Sequence, residues 1–182
     1  MLETIGFLEL NSIAKGVEAA DAILKTAEVR LLFAKAGCPG KYYILFTGEV
    51  AAVKSSMEAG ARIGGANTVD SCVIPRVHPQ VIRAINLASE FETVGALGVM
   101  EFFSVTASVY AADAAVKAAE VDLIDVRLGT GIGGKSFVVL TGEVAAVRAA
   151  VEAGIHNKNA EGMLVSQVVI PNPRREIFDS LI

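Results

Sequence analysis

The chain repeats itself. Gly6–Val29 returns as Gly98–Val121, with Gly6, Glu9, Ser12, Val17, Ala19, Ala20, Asp21, Ala22, Lys25, Ala27, Glu28 and Val29 all recurring at a spacing of 92. Thr47–Val53 returns as Thr141–Val147 at a spacing of 94, and Glu58-Ala59-Gly60 as Glu152-Ala153-Gly154. Val73-Ile74-Pro75 returns as Val169-Ile170-Pro171 at a spacing of 96. A spacing that grows in two small steps means two short insertions in the second copy, and insertions belong in surface loops. A duplication of this kind fixes the architecture twice over, because whatever one copy builds the other must build again. The joint falls near Ser89–Thr93, which gives domains 1–91 and 92–182. Each copy, at about ninety residues, is long enough to bury its own core.

Within the first copy, Thr4–Leu10 is a short apolar run of strand type. Ser12 is an N-cap for a helix reaching Thr26, with Ile13, Val17, Ala20, Leu24 and Ala27 on one face. Val29–Lys35 and Lys41–Thr47 read as strands joined by a turn at Gly37-Cys38-Pro39-Gly40. Val50–Ile63 is a second helix, stopped by Gly64-Gly65, and Val69–Ile74 is the last strand. Pro75 and Pro79 frame a turn into a tail helix ending near Leu87. The order βαββαβ in each copy predicts an α+β chain of two tandem ferredoxin-like domains, each an antiparallel sheet with helices on one face.

Composition excludes several functions. Hydrophobic residues make up 53% of the 182 positions, which rules out disorder. The longest charge-free stretch, Gly162–Pro173, is far too short to span a bilayer, and Met1–Glu9 shows no secretory pattern, so a cytoplasmic, non-membrane protein is expected. A net charge of −4, no tryptophan and no basic block give no nucleic-acid surface. Two cysteines, Cys38 and Cys72, are too few for a disulfide framework. Cys72, at the position of Val168, reads as a small buried hydrophobe.

Motifs for chemistry are sparse. Gly129-Thr130-Gly131-Ile132-Gly133-Gly134-Lys135-Ser136 matches the phosphate-loop pattern letter for letter. Such a loop works only when a helix begins directly after it, presenting free N–H groups to the anion. Here Phe137-Val138-Val139-Leu140 follows, a β-branched and aromatic run, so the motif is a glycine-rich hairpin turn. His78 and His156 do not occupy equivalent positions. Glu9 and Glu101 do recur, and the expectation is one carboxylate per copy on a neighbouring backbone segment rather than an acid/base pair. Lys25 and Lys117 recur on their helices as solvated charges or as contacts to another molecule. No triad, metal cluster or acid/base pair assembles in one chain, so catalysis is not expected.

Val17–Lys25, Thr47–Lys54 and Val73–His78 resemble the signature segments of bacterial microcompartment shell proteins, in order and in both copies. That resemblance implies a tandem-domain tile: a homotrimer whose six domains imitate a hexamer, in the unpermuted element order. It implies lateral contacts with other shell proteins through Lys25, Lys117, Arg76 and His78, with Asn172 and Arg174 departing from the pattern in the second copy. It places Gly37, Cys38, Pro39 and Gly40, with Gly131, Ile132 and Gly133, around a central pore in the microcompartment shell. Cys38 is similar to the cluster-binding cysteine found in propanediol-utilisation members. By that likeness three Cys38 thiolates, one per chain, hold one [4Fe–4S] cluster per trimer, for electron transfer or cluster passage, with an encapsulated redox enzyme as the implied partner. Two alternatives stay open: a metal-free metabolite pore, and a ferredoxin-like regulator that binds a small molecule between subunits.

Overall fold

The computed structural model describes residues 4–89 and 95–181, and it carries the duplicated plan through in both copies. The first copy runs β1 (Thr4–Leu10), α1 (Ile13–Thr26), β2 (Val29–Gly37), β3 (Lys41–Gly48), α2 (Val50–Gly64), β4 (Thr68–Ile74) and α3 (Pro79–Ile85). The second runs β5 (Ala96–Phe102), α4 (Val105–Ala118), β6 (Val121–Leu128), β7 (Ser136–Gly142), α5 (Val144–Ile155), β8 (Leu164–Ile170) and α6 (Arg175–Asp179). The sheet orders β2-β3-β1-β4 and β6-β7-β5-β8 are the same order twice, all antiparallel. Equivalent registers hold as well: Glu9 lies opposite Tyr43 on β3, and Glu101 opposite Phe137 on β7.

Local chemistry explains the elements. Ser12 caps α1 by accepting from the Lys15 N–H at 3.3 Å, and Ser104 caps α4 from Ala107 at the same distance. Ala19, Ala20 and Ile23 then face inward at helical spacing and meet Leu8, Leu10, Ile44 and Phe46 on the sheet, with Val53 and Met57 from α2. Each large side chain in that cluster contributes about 1.5–3 kcal/mol by leaving water.

The chain forms two compact units, Met1–Val77 and His78–Ile182. The sequence boundary between residues 91 and 92 lies outside the described residues. The units themselves part earlier, so α3, the tail of the first copy, folds as part of the second unit. It packs on β6 and α4 there. Cys38 and Cys72 are both free thiols, and Cys72 is buried as expected. No helix among the described residues is long and apolar enough to cross a membrane.

Candidate functional site

The β2–β3 turn is where the two copies differ most in chemistry. Gly37, Cys38, Pro39 and Gly40 close it in four residues, the Gly40 N–H reaching the Gly37 carbonyl at 3.0 Å. The Cys38–Pro39 peptide is cis, and Gly40 has a φ of 81° with open space on its Cα. Beneath the turn, the buried Tyr43 ring stacks on Phe7 with centroids 6.0 Å apart. Its hydroxyl donates to the Cys38 carbonyl at 3.1 Å. Burial pushes the Tyr43 phenol well up, and the charges at Glu9 and Cys38 add to the rise, so it stays a donor. A Cβ on Gly37 would sit 2.1 Å from the Tyr43 ring, so only glycine lets that ring pass under the turn. The result is a half-buried thiol on a tight turn held from below.

The β6–β7 turn is longer and held differently. Gly129, Gly131, Gly133 and Gly134 all take positive φ, which the expected glycine-rich hairpin required. A strand follows it, β7, and the Lys135 ammonium is bound to Glu101, so no phosphate cradle forms. Phe137 stands where Tyr43 stands in the first copy and has no hydroxyl to offer; the Arg127 guanidinium lies 5.8 Å from its centroid instead. Ile132 is the turn's one apolar side chain.

Glu9 and Glu101 correct the sequence expectation. Their partners are lysines, Lys41 and Lys135, not backbone. Glu9 is 1% exposed, and burial raises its pKa above the usual glutamate value, against the opposing hydrogen bond and charge of Lys41. The sequence hint was present, because Lys41 and Lys135 end the two turns at equivalent places. A carboxylate and an ammonium 32 and 34 residues apart gave no pattern by which to pair them.

The remaining expected positions separate. Lys25 is 73% exposed and pairs with Asp21 at 2.6 Å. Lys117 was read as its equal; it is 41% exposed and pairs at 2.5 Å with Asp113, a carboxylate that also accepts the His78 N–H at 2.8 Å. His78 caps α3, its Nδ1 accepting from the Gln80 N–H at 3.4 Å. Arg76 is exposed at a positive φ of 53°. Tyr43 and Gln80 were missed by the sequence reading.

One thiol per chain cannot hold a cluster, and among the described residues no three His, Cys, Asp or Glu side chains converge on a point. The donor chemistry nevertheless favours Cys38 over Cys72. Cys72 is enclosed, and burial drives its thiol far from thiolate formation, with Asp70 adding to the effect. Cys38 is half-buried beside the open Gly40.

Comparison with known proteins gives the same plan. The family model for the BMC domain matches twice, at residues 4–77 and 96–173. The bacterial microcompartment shell protein PduT of Citrobacter freundii is 41% identical over 182 residues, covering 100% of this chain and 99% of that one. The carboxysome assembly protein CcmO of Synechococcus elongatus is 30% identical over 190 residues, spanning 97% of this chain and 68% of CcmO. Among solved structures, a microcompartment protein from Desulfitobacterium hafniense superposes with a TM-score of 0.91 at 50% identity, covering 98% of this chain and 99% of that one. A fused permuted hexameric shell protein from the RMM microcompartment gives 0.62 at 27% identity, covering 84% and 79%. The larger agreement is with the first of these; the second is permuted by description, and the element order here is not.

Proposed function

From the premise that this chain belongs to the BMC-domain family and is a structural shell protein of a bacterial microcompartment, we propose that three copies close a ring around the Cys38 turns and hold one [4Fe–4S] cluster there. Membership of a shell-protein family also displaces the small-molecule regulator as a reading.

The supporting observation is the difference between the two turns. Only the first copy's turn carries a thiol, on four residues held by Tyr43 and Gly37. Threefold symmetry multiplies that single thiol into three, and Ile132 from the second copy leaves the other three positions without a ligand. Three thiolates suit three irons of a four-iron cluster, the fourth iron taking a small external ligand. Such a cluster supplies one-electron transfer at the shell. The chain's own part is to present Cys38 at a fixed height, exclude competing side chains with Gly37 and Gly40, and keep the turn's carbonyl occupied by Tyr43.

The ring is supported separately by unequal burial of equivalent side chains. Val109 on α4 is fully buried, while its counterpart Val17 on α1 is 55% exposed. A duplicated helix with one apolar face covered and the other bare fits an assembly in which a neighbour covers the second. The exposed Lys25, with its Asp21 partner, and the exposed Arg76 would then meet other shell proteins at the tile edge. An encapsulated redox enzyme is the partner that electron transfer would require.

Anaerobic reconstitution with iron and sulfide tests the cluster. Wild type is expected to take up about one cluster per three chains, visible by absorbance and electron paramagnetic resonance, and Cys38→Ser none. Equal iron in both would remove the cluster and leave the metal-free pore. Light scattering tests the ring; a stable monomer or dimer would overturn it.

A further inference from the structure

The two copies build the same backbone bridge and dress it differently. In the first, just past the end of β1, the Asn11 N–H donates to the Asn67 carbonyl at 2.9 Å. In the second, just past the end of β5, the Phe103 N–H donates to the Met163 carbonyl at 2.8 Å. The neighbouring strand pairs are equivalent as well, Leu10 with Thr68 and Phe102 with Leu164. Asn11, Asn67 and Thr68 are therefore replaced by Phe103, Met163 and Leu164. The fold does not ask for this change, because the first copy makes the bridge with polar side chains.

The apolar set is not core. Phe103 is 62% exposed, Met163 41% and Leu164 36%. Asn11 is exposed too, so both copies keep this place at the surface. Contiguous exposed apolar side chains mark interaction surfaces, and Phe and Met are among the types that interfaces concentrate.

Charge borders the patch on the same loop. Residues 156–163 join α5 to β8, and the second copy carries the later of its two insertions there. Ala160 is buried, its N–H reaching the Asn157 carbonyl at 2.8 Å, and the Met163 N–H reaches the Ala160 carbonyl at 3.1 Å. The Asn159 N–H donates to Asn157 Oδ1 at 2.9 Å, which fixes the loop further. Lys158 and Glu161 stand exposed on it, and among the described residues neither is paired with an opposite charge. The adjoining charges are engaged, Lys135 with Glu101 and His156 with Glu152.

One cation and one anion beside an apolar set complement themselves under a twofold rotation. The same loop on a second copy, turned through 180°, brings Glu161 to Lys158 and Lys158 to Glu161, while the apolar side chains close on their own counterparts. A partner of a single charge sign would leave one of the two unmatched, and a purely apolar partner would leave both.

We propose that this face of the second unit is a twofold docking surface for a second copy of the chain, with Phe103, Met163 and Leu164 at its centre and Lys158 and Glu161 exchanged at its rim. The contact goes beyond the shell reading and is separate from the ring, because a twofold contact closes on itself and joins units only in pairs. Its residues are far fewer than the roughly 20–30 a side of a stable interface, so two lone chains pair weakly. Three such patches on one ring, each facing its counterpart on another, act together and pair strongly.

Sedimentation over a concentration series tests it. The variants are Phe103→Asn/Met163→Asn/Leu164→Thr, which reproduces the first copy's bridge, and Lys158→Glu and Glu161→Lys, alone and together. Wild type is expected to reach twice the mass of whatever unit the triple variant forms, and the triple variant to stay at that unit. Each single reversal sets like charges across the twofold and should raise the doubling concentration by roughly tenfold or more; the double reversal should return it to within about threefold of wild type. Equal masses for wild type and the triple variant at every concentration would overturn the proposal, and so would a double reversal as weak as the singles. Should the triple variant fail to fold, the charge variants decide alone. The unit's own size reports on the ring separately: a triple variant of one chain removes the ring, while doubling of wild type to two chains keeps this contact.

Discussion

The two units share register, capping and sheet order, yet they differ wherever a side chain could be released from the fold. In the first, Glu9 is enclosed with Lys41, and Tyr43 holds the Cys38 turn; in the second, Glu101 and Lys135 are partly exposed and Phe137 holds nothing polar. The backbone plan belongs to both copies, whereas the chemistry belongs to one. Duplication lets one copy carry a demanding turn while the other keeps its own turn free of a thiol.

The sharpest way to break the comparison is to remove the repeated lysine from each copy. Lys41→Met leaves a carboxylate at 1% exposure without its cation and is expected to cost about 3 kcal/mol at neutral pH. Lys135→Met, beside a partly exposed Glu101, should cost less than about 1 kcal/mol. The raised pKa of Glu9 gives this a pH signature. A carboxyl raised in the fold contributes most when protonated, below its ordinary 4.5, and loses that contribution as pH climbs through its native value. Thermal melts of Lys41→Met should therefore approach wild type on acidification, and equal penalties for the two lysines would end the distinction.

A smaller effect is expected from exchanging the aromatic pair. Tyr43→Phe removes the hydroxyl from the Cys38 carbonyl and should cost about 1 kcal/mol in denaturant unfolding, with faster loss of reconstituted iron. Phe137→Tyr should gain nothing, because the β6–β7 turn is built to a different length. If iron retention is unchanged in Tyr43→Phe, the hydroxyl serves the fold alone.

The smallest effect concerns His78, whose counterpart in the second copy is Arg174. Desolvation lowers the His78 pKa below 6.5, with Lys117 and Arg83 acting in the same direction and Asp113 opposing. A histidine lowered in the fold contributes above its ordinary pKa and loses that contribution as pH falls, here because protonated Nδ1 can no longer accept the Gln80 N–H. His78→Asn keeps a cap that does not titrate. Its melting temperature should match wild type at pH ~8 and exceed it slightly at pH ~5; parallel curves would remove the histidine from the cap.

Much of this architecture was legible in the residues. The repeat, Ser12 as a cap, the glycine-rich turn followed by a strand, and Cys72 as a core residue all follow from local rules that need no distant partner. What escaped were pairings across the sheet or across the chain. Tyr43 reads as one more aromatic in a strand until the turn folds back over it. Gln80 reads as a polar residue in a tail helix until β6 lies beside it, 43 residues further on. Lys25 and Lys117 look identical in sequence, yet Lys117 is the less exposed and its partner Asp113 also accepts the His78 backbone N–H.

That the tail of the first copy packs on β6 and α4, as part of the second unit, has a consequence for how assembly responds to dilution. A contact made within one polypeptide has no dependence on protein concentration, since its partner is always present at a fixed effective molarity. A ring of six separate domains would form with a sixth-order dependence on concentration, whereas the proposed ring of three tandem chains would form with a third-order one. Joining two domains in one chain lets the proposed ring close at concentrations where single-domain units of equal contact strength would remain in pieces.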